Sequence, residues 1–145
     1  MDLLTQARDR LLAGEHRCVM LSGEDCRVSD ARGVRPLLEA LAEGCDLRGY
    51  VVADRVIGKA AAMLLALAGV RQAHGLVVSQ TAINFARENS LFLSFDRKVD
   101  VIADASGTGI CPLEQAVEDI EDVAEAHAAI VARVRELRHR ALEGD

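Results

Sequence analysis

The chain has 145 residues, which is the size of one domain with a hydrophobic core of its own. Its net charge of −6, with three Phe, one Tyr and no Trp, disfavours nucleic-acid binding, which relies on positive charge and base stacking. The longest apolar run, residues 60–70, is too short to span a bilayer, and we recognise no signal sequence before the first predicted helix. We therefore expect a cytoplasmic protein that associates with neither nucleic acid nor membranes.

Hydrophobic spacing in the first half of the chain predicts four elements. They are a helix, two strands of a hairpin and a second helix, over residues 2–13, 16–21, 26–29 and 33–44. A short extended segment, residues 50–53, then leads to Asp54, which we predict to be the N-cap of a third helix ending near Ala68. That helix is apolar nearly all round, so we expect it to be central and buried.

The second half alternates in the same way. Ser79 is predicted to cap a helix, and the remaining predicted elements are strands over 73–78 and 91–95, a candidate fifth strand over 99–103, and helices over 112–120 and 123–142. The order predicts a single domain, residues 1–142, with a three-layer α/β fold and a mixed sheet of four to five strands. The long last helix carries an apolar stripe that packs on its own sheet or, alternatively, forms a homodimer contact.

One glycine-rich turn, residues 104–111, brings a cysteine to the start of a helix. Gly107 and Gly109 allow a tight backbone path, and Pro112 suits a first helical position. Cys111 is therefore predicted to lie at or next to an N-cap, where thiolates are stabilised. Glu114 falls in the same first turn, where a carboxylate meets the positive end of the helix dipole.

Three motifs resemble one uncharacterised bacterial and archaeal family, catalogued as a domain of unknown function with a cytidine-deaminase-like fold. They are RGVRPLL (32–38), ADRVIGKAAA (53–62) and GTGICPLEQ (107–115). The resemblance runs from the first helix to the helix after Pro112 and implies a three-layer α-β-α domain. It also implies that two helix N-termini face one pocket, so that Asp54 and Lys59 converge on Cys111 and Glu114.

Deaminase chemistry requires a zinc ion held by one His or Cys from one helix start and two Cys from the other. In this chain Cys111 is present, Glu114 stands where a second thiolate belongs, and residues 54–62 contain no His, Cys or Glu. This set is poor for tetrahedral zinc, so we predict a protein without metal or cofactor.

The groups that are left define the candidate site. Cys111 is the candidate nucleophile, Glu114 the candidate acid or base, and Lys59 and Asp54 their neighbours. The backbone amides of Ser106, Gly107, Thr108 and Gly109 are the candidate cradle for a phosphate or carboxylate. The resulting hypothesis is a zinc-free, deaminase-like protein that binds a nucleotide-like or other small anionic ligand.

Structural interpretations of the same residues stay open. In these interpretations Cys111 is only a small residue that fits a tight helix start, Lys59 forms an ion pair with Asp54, and the glycines are needed only for the turn. Under this alternative the protein is a non-catalytic sensor or interaction module. The four histidines, His74 included, show no spacing that suggests a metal site or a catalytic dyad.

Overall fold

The structure, a computed structural model, describes residues 2–142. Within them eleven elements follow one another in the order helix, two strands, helix, then alternating strands and helices that end in two successive helices. Their bounds are α1 Leu3–Ala13, β1 Cys18–Leu21, β2 Cys26–Ser29, α2 Arg35–Ala42, β3 Val51–Ile57, α3 Lys59–Leu67, β4 Gln72–Ser79, α4 Gln80–Glu88, β5 Phe92–Val99, α5 Pro112–Ala116 and α6 Val123–Leu142. The predicted mixed α/β architecture with a long C-terminal helix is confirmed.

The five strands form one mixed sheet in the order β2-β1-β3-β4-β5. Strand β1 runs antiparallel to both β2 and β3, and β3, β4 and β5 run parallel to one another. Parallel neighbours need a crossover between them, and α3 and α4 provide it. The carboxyl ends of β3 and β4 therefore lead directly into the first turns of α3 and α4.

The sheet separates two hydrophobic clusters. Helix α1 covers one face through Leu4, Ala7 and Leu11, which pack on β1 and β3. The larger cluster fills the other face, where α3 contacts α2, α4 and α6. Residues 59–65 are all buried, which confirms that the helix predicted to be apolar all round lies at the centre of the domain.

The prediction that Asp54 caps α3 is wrong. Strand β3 continues past it to Ile57, and the N-cap of α3 is Gly58. Residue 54 pairs with Cys18 on β1 and with Gly75 on β4, and these ladders on both sides extend the strand through a polar residue. At this position the pairing of β3 with its two neighbours outweighs the local preference of aspartate for an N-cap.

Other predicted boundaries also differ from the structure. The strand predicted over 91–95 is β5, which continues to Val99, and the separate fifth strand predicted over 99–103 does not form, because beyond Val99 only a single bridge joins Ala103 to Ile110. Helix α5 is shorter than predicted and ends at Ala116. The N-cap of α4 is as predicted, with Ser79 Oγ accepting a hydrogen bond from the Ala82 amide at 3.1 Å. Among residues 2–142 no helix is long and apolar enough to cross a membrane.

Candidate ligand-binding site

A carboxylate from α5 caps the first turn of α3. Glu114 Oε1 accepts a hydrogen bond from the Lys59 amide, and its Oε2 accepts one from the Ala60 amide, both at 2.8 Å. A helix start leaves its first amides without intrahelical partners, and a carboxylate satisfies them with charge-assisted bonds that also meet the helix dipole. The two helix starts predicted to converge therefore do so through Lys59 and Glu114.

Gly58 makes this contact possible. A Cβ at this position would lie 2.4 Å from Glu114 Oε1 and 2.5 Å from its Cδ. Real Cβ atoms do not approach other atoms so closely, and the carboxylate cannot move without losing its bonds to α3. The glycine is therefore required by close approach and not by backbone conformation, because its φ is −96°.

The side chain of Lys59 lies beneath the same contact and is only 8% exposed as a residue. Its Nζ donates to the Glu118 carbonyl oxygen at 3.2 Å and lies 3.3 Å from Glu121 Oε1. An ammonium has three N–H donors, and these two contacts use two of them. A third donor is left for a ligand or for water.

A pocket of about 310 Å³ opens over Lys59, between α4 and the segment from residue 101 to residue 121. We refer to it as the Lys59 pocket. Its apolar wall consists of Phe85, Val101, Ile102 and Ile110. Thr81 and Asn84 from α4 add hydrogen-bonding groups. The volume of the pocket is that of a site for a small organic molecule, and most of its lining residues are polar or charged.

The electrostatic character of the Lys59 pocket is acidic. Four carboxylates line it together with the single ammonium: Glu88, Glu114, Glu118 and Glu121. The charge of Glu114 is offset by the α3 amides, and Glu121 contacts Lys59. Glu88 and Glu118 add negative charge that no other lining residue balances, so negative charge is in excess among the lining side chains.

Cys111 occupies the predicted position but does not line the Lys59 pocket, although it lies within the described range. It is the N-cap of α5, half-buried, and its amide donates to the Ile102 carbonyl oxygen at 2.9 Å. Because α5 has only five residues, few peptide dipoles add up at its start. A catalytic role for Cys111 stays a prediction.

The turn at residues 106–109 already binds a carboxylate of this chain, that of Asp104. Asp104 accepts the Ser106 hydroxyl at 2.7 Å and the Gly109 amide at 3.4 Å, and the Gly107 amide donates to the Asp104 carbonyl oxygen at 3.0 Å. The Thr108 amide points to Ser106 Oγ at 3.4 Å. The Ser106 hydroxyl is the main reason why the pKa of Asp104 is lowered. The predicted phosphate cradle stays a prediction, and an external anion would have to displace Asp104.

Asp54 is buried within β3, only 7% exposed, and does not line the Lys59 pocket, although it too lies within the described range. Its Oδ1 accepts the Arg55 amide at 2.8 Å. Burial disfavours the charged carboxylate and raises its pKa from 3.8 to about 7, against smaller opposing contributions from backbone hydrogen bonds and from Arg17 and Arg55. The predicted convergence of Asp54 with Lys59 on one pocket is therefore wrong, because Asp54 is held inside the sheet.

The raised pKa of Asp54 predicts a characteristic pH dependence of stability. The folded state holds this proton more tightly than the unfolded state, so stability should fall as pH rises from about 4 to about 7 and level off above. We expect wild type to lose roughly 2 kcal/mol between pH 5 and pH 7 relative to Asp54→Asn, which does not titrate. Urea unfolding of both proteins across this range measures the difference. Parallel stability curves would contradict the assignment.

The residues present do not fit a deaminase zinc ion. Both oxygens of Glu114 are bonded to the α3 amides, which leaves Cys111 without a second anionic ligand from α5. Among residues 2–142, no group of three or more His, Cys, Asp and Glu side chains is placed to hold a metal ion.

Sequence reasoning missed most of the Lys59 pocket. The walls from α4 and from residues 101–110 had no role assigned, and Glu118 and Glu121 were not considered. Three of the α4 lining residues, Thr81, Phe85 and Glu88, recur at three- to four-residue spacing and therefore share one helix face. That spacing was the available signal.

The fold and this pocket define a mixed α/β domain with a ligand-sized hollow at the start of its central helix. Residues 6–133 match the family model described as TM1506, domain of unknown function (DUF1893), and the chain belongs to this family. The chain is similar to the crystal structure of a DUF1893 family protein, TM1506, from Thermotoga maritima. The sequences are 27% identical, the match covers 90% of this chain and 89% of that one, and the TM-score is 0.82. No curated protein matches.

Proposed function

We propose that the Lys59 pocket is a non-catalytic site that binds a small neutral or cationic molecule of nucleoside size. The observation that carries the proposal is the combination of one buried ammonium with a spare donor and an apolar wall that ends at carboxylates. A planar heterocycle packed against Ile102 and Ile110 would offer an acceptor to Lys59 and donors to Glu88 and Glu118. The volume of about 310 Å³ supports a ligand no larger than a nucleoside.

The charge of the pocket distinguishes this ligand from the anionic one that the sequence predicts. A phosphate group would meet Glu88 and Glu118 at short range in a partly desolvated hollow, where like charges repel strongly. The amides at the start of α3, which would otherwise attract an anion, are already bonded to Glu114.

The cytidine-deaminase-like ancestry is part of the same proposal. It is supported by an antiparallel hairpin at one edge of the sheet, followed by three parallel strands linked by α3 and α4. It is also supported by the approach of the α5 start to the α3 start. In this interpretation the carboxylate of Glu114 replaces a metal ligand and joins the two helices directly. A cytoplasmic location and a homodimer stay predictions.

Thermal shift measurements test the ligand class. Adenosine, cytidine and uridine are each compared with their 5′-monophosphates, and we expect at least one nucleoside to raise Tm more than its monophosphate does. At a concentration about 100 times Kd the stabilisation would be about 2.7 kcal/mol. Lys59→Met should abolish the shift, whereas Lys98→Met, on the exposed face of β5, should retain it. Greater stabilisation by the monophosphates, or none by any compound, would overturn the proposal.

Thiol labelling tests whether Cys111 performs covalent chemistry. A nucleophilic Cys111 would react with iodoacetamide near neutral pH much faster than the other half-buried cysteines, Cys26 and Cys45. We expect Cys111 to react no faster than the other two, because it lies outside the Lys59 pocket and at the start of a five-residue helix. Mass spectrometry of digested protein gives the three rates, and Cys111→Ser identifies the peptide. Fast labelling confined to Cys111 would restore the catalytic hypothesis.

A further inference from the structure

A second polar cluster lies on the other face of the sheet, under α1. His74 on β4 is the register partner of Ser94 on β5, and Asp96 follows two residues later on the same face of β5. His74 Nδ1 lies 2.7 Å from Ser94 Oγ, and its Nε2 lies 3.0 Å from Asp96 Oδ1. Arg8 from α1 donates to both carboxylate oxygens of Asp96, at 3.1 and 3.2 Å.

The network determines which ring nitrogen carries the hydrogen. Asp96 stays ionised, because the hydrogen bonds from Arg8 lower its pKa, and an ionised carboxylate can only accept. Nε2 of a neutral His74 must therefore be the N–H that donates to Asp96, and Nδ1 keeps its lone pair. The Ser94 hydroxyl then donates to Nδ1. A serine whose hydroxyl donates to an oriented imidazole is the arrangement that activates a serine nucleophile.

Ser94 is accessible from solvent through an open groove of about 690 Å³. Leu4 and Phe92 form its apolar lining, and Phe92 is 61% exposed. Thr5 and Gln72 line the same groove and carry hydrogen-bond donors suited to a carbonyl oxygen. His74 itself is only 7% exposed, so solvent reaches the serine side of the cluster more readily than the imidazole.

We propose that Ser94 is a nucleophile that accepts the acyl group of small uncharged esters, with His74 as its general base. The Ser94 oxygen bonds to the ester carbonyl carbon while its proton passes to His74 Nδ1. The bond between that carbon and the alcohol oxygen then breaks, and the departing alkoxide takes the proton from His74. Water releases the acid from Ser94 by the same two steps, so that the ester is hydrolysed.

A fluorophosphonate probe tests this site on the intact protein. Ser94 Oγ displaces fluoride from phosphorus, which leaves a stable adduct that peptide mass spectrometry locates. We expect a label at Ser94 and slow hydrolysis of p-nitrophenyl acetate. Ser94→Ala should abolish both, His74→Gln should lower the labelling rate about 100-fold, and Ser22→Ala, in the β1–β2 turn, should label like wild type. A folded wild type without label at Ser94, or ester hydrolysis unchanged in Ser94→Ala, would overturn the proposal.

Asp96 and Arg8 are positioning residues, and the tautomer of His74 reports on them without relying on activity. Nitrogen-15 NMR of wild type should show the His74 hydrogen on Nε2, and Asp96→Asn should reduce the population of that tautomer. A wild-type spectrum with the hydrogen on Nδ1 would overturn the role of His74 as base, because Nδ1 could then accept nothing from Ser94.

Discussion

Replacing Glu114 with alanine should lower the free energy of unfolding by about 3–4 kcal/mol, because two charge-assisted hydrogen bonds to the Lys59 and Ala60 amides are lost together. The amides lie at the start of the buried helix α3, where water replaces the carboxylate poorly. Urea unfolding at neutral pH measures the loss. The Lys59 pocket should also widen, because Glu114 forms part of its wall.

Two variants calibrate this result. Glu114→Gln keeps one carbonyl oxygen as an acceptor and loses the charge, so it should fall between wild type and Glu114→Ala. Glu24→Ala removes an exposed glutamate from the β1–β2 turn and should change stability by no more than about 0.5 kcal/mol. If Glu114→Ala behaves like Glu24→Ala, the capping contact contributes nothing and α5 does not close the start of α3.

Replacing Gly58 with alanine should cost a similar amount, about 3 kcal/mol, through steric overlap. The added methyl group would lie within 2.7 Å of three atoms of the Glu114 carboxylate, which must move away from the amides that it caps. The backbone itself tolerates alanine, since φ at this position is −96°. Thermal and urea unfolding both measure this change.

The matched control for this substitution is Gly23→Ala. Gly23 lies in the β1–β2 turn, and a Cβ added there would meet no atom within 4 Å beyond its chain neighbours, so alanine should be nearly neutral. An equal effect of the two substitutions would mean that the cost at Gly58 comes from the loss of glycine itself. A cost confined to Gly58 assigns it to the contact with Glu114.

Periodicity in the sequence predicted most elements, because most helices and strands bury one face or lie fully buried. Helix α6 begins and ends where its apolar stripe does, and β2 spans the predicted residues. Asp54 was misplaced because its local sequence suits an N-cap, while its actual partners, Cys18 and Gly75, are far away in the chain. Capping rules are local, and strand pairing is not.

The candidate site was predicted only in part, because local sequence patterns show which residues are neighbours in the chain but not which distant segments meet. Cys111 and Glu114 share one short segment, and the resemblance brought Lys59 toward them. Glu114 was expected to offer its carboxylate to a substrate, but its oxygens face the amides of another helix. Whether Glu114 faces a substrate or caps α3 depends on how close α5 lies to α3. That distance cannot be predicted from residue spacing along the chain.

The cluster of His74, Ser94 and Asp96 also depends on a contact between distant segments that the sequence does not reveal. A Ser and an Asp two residues apart share a strand face, which the sequence could have shown. The parallel register that sets His74 beside Ser94 depends on how β4 and β5 align across the α4 crossover. No local pattern around His74 specifies that alignment.

A double-mutant cycle of Gly58→Ala and Glu114→Ala measures directly whether the Glu114 carboxylate from α5 caps the start of α3. The stability of the four proteins is measured by urea unfolding under one condition. With the carboxylate already removed, the alanine methyl group at position 58 has room, so we expect the two losses to overlap with a coupling energy of about 2–3 kcal/mol. Losses that simply add would show that Gly58 and Glu114 are not in contact and that Glu114 does not cap α3.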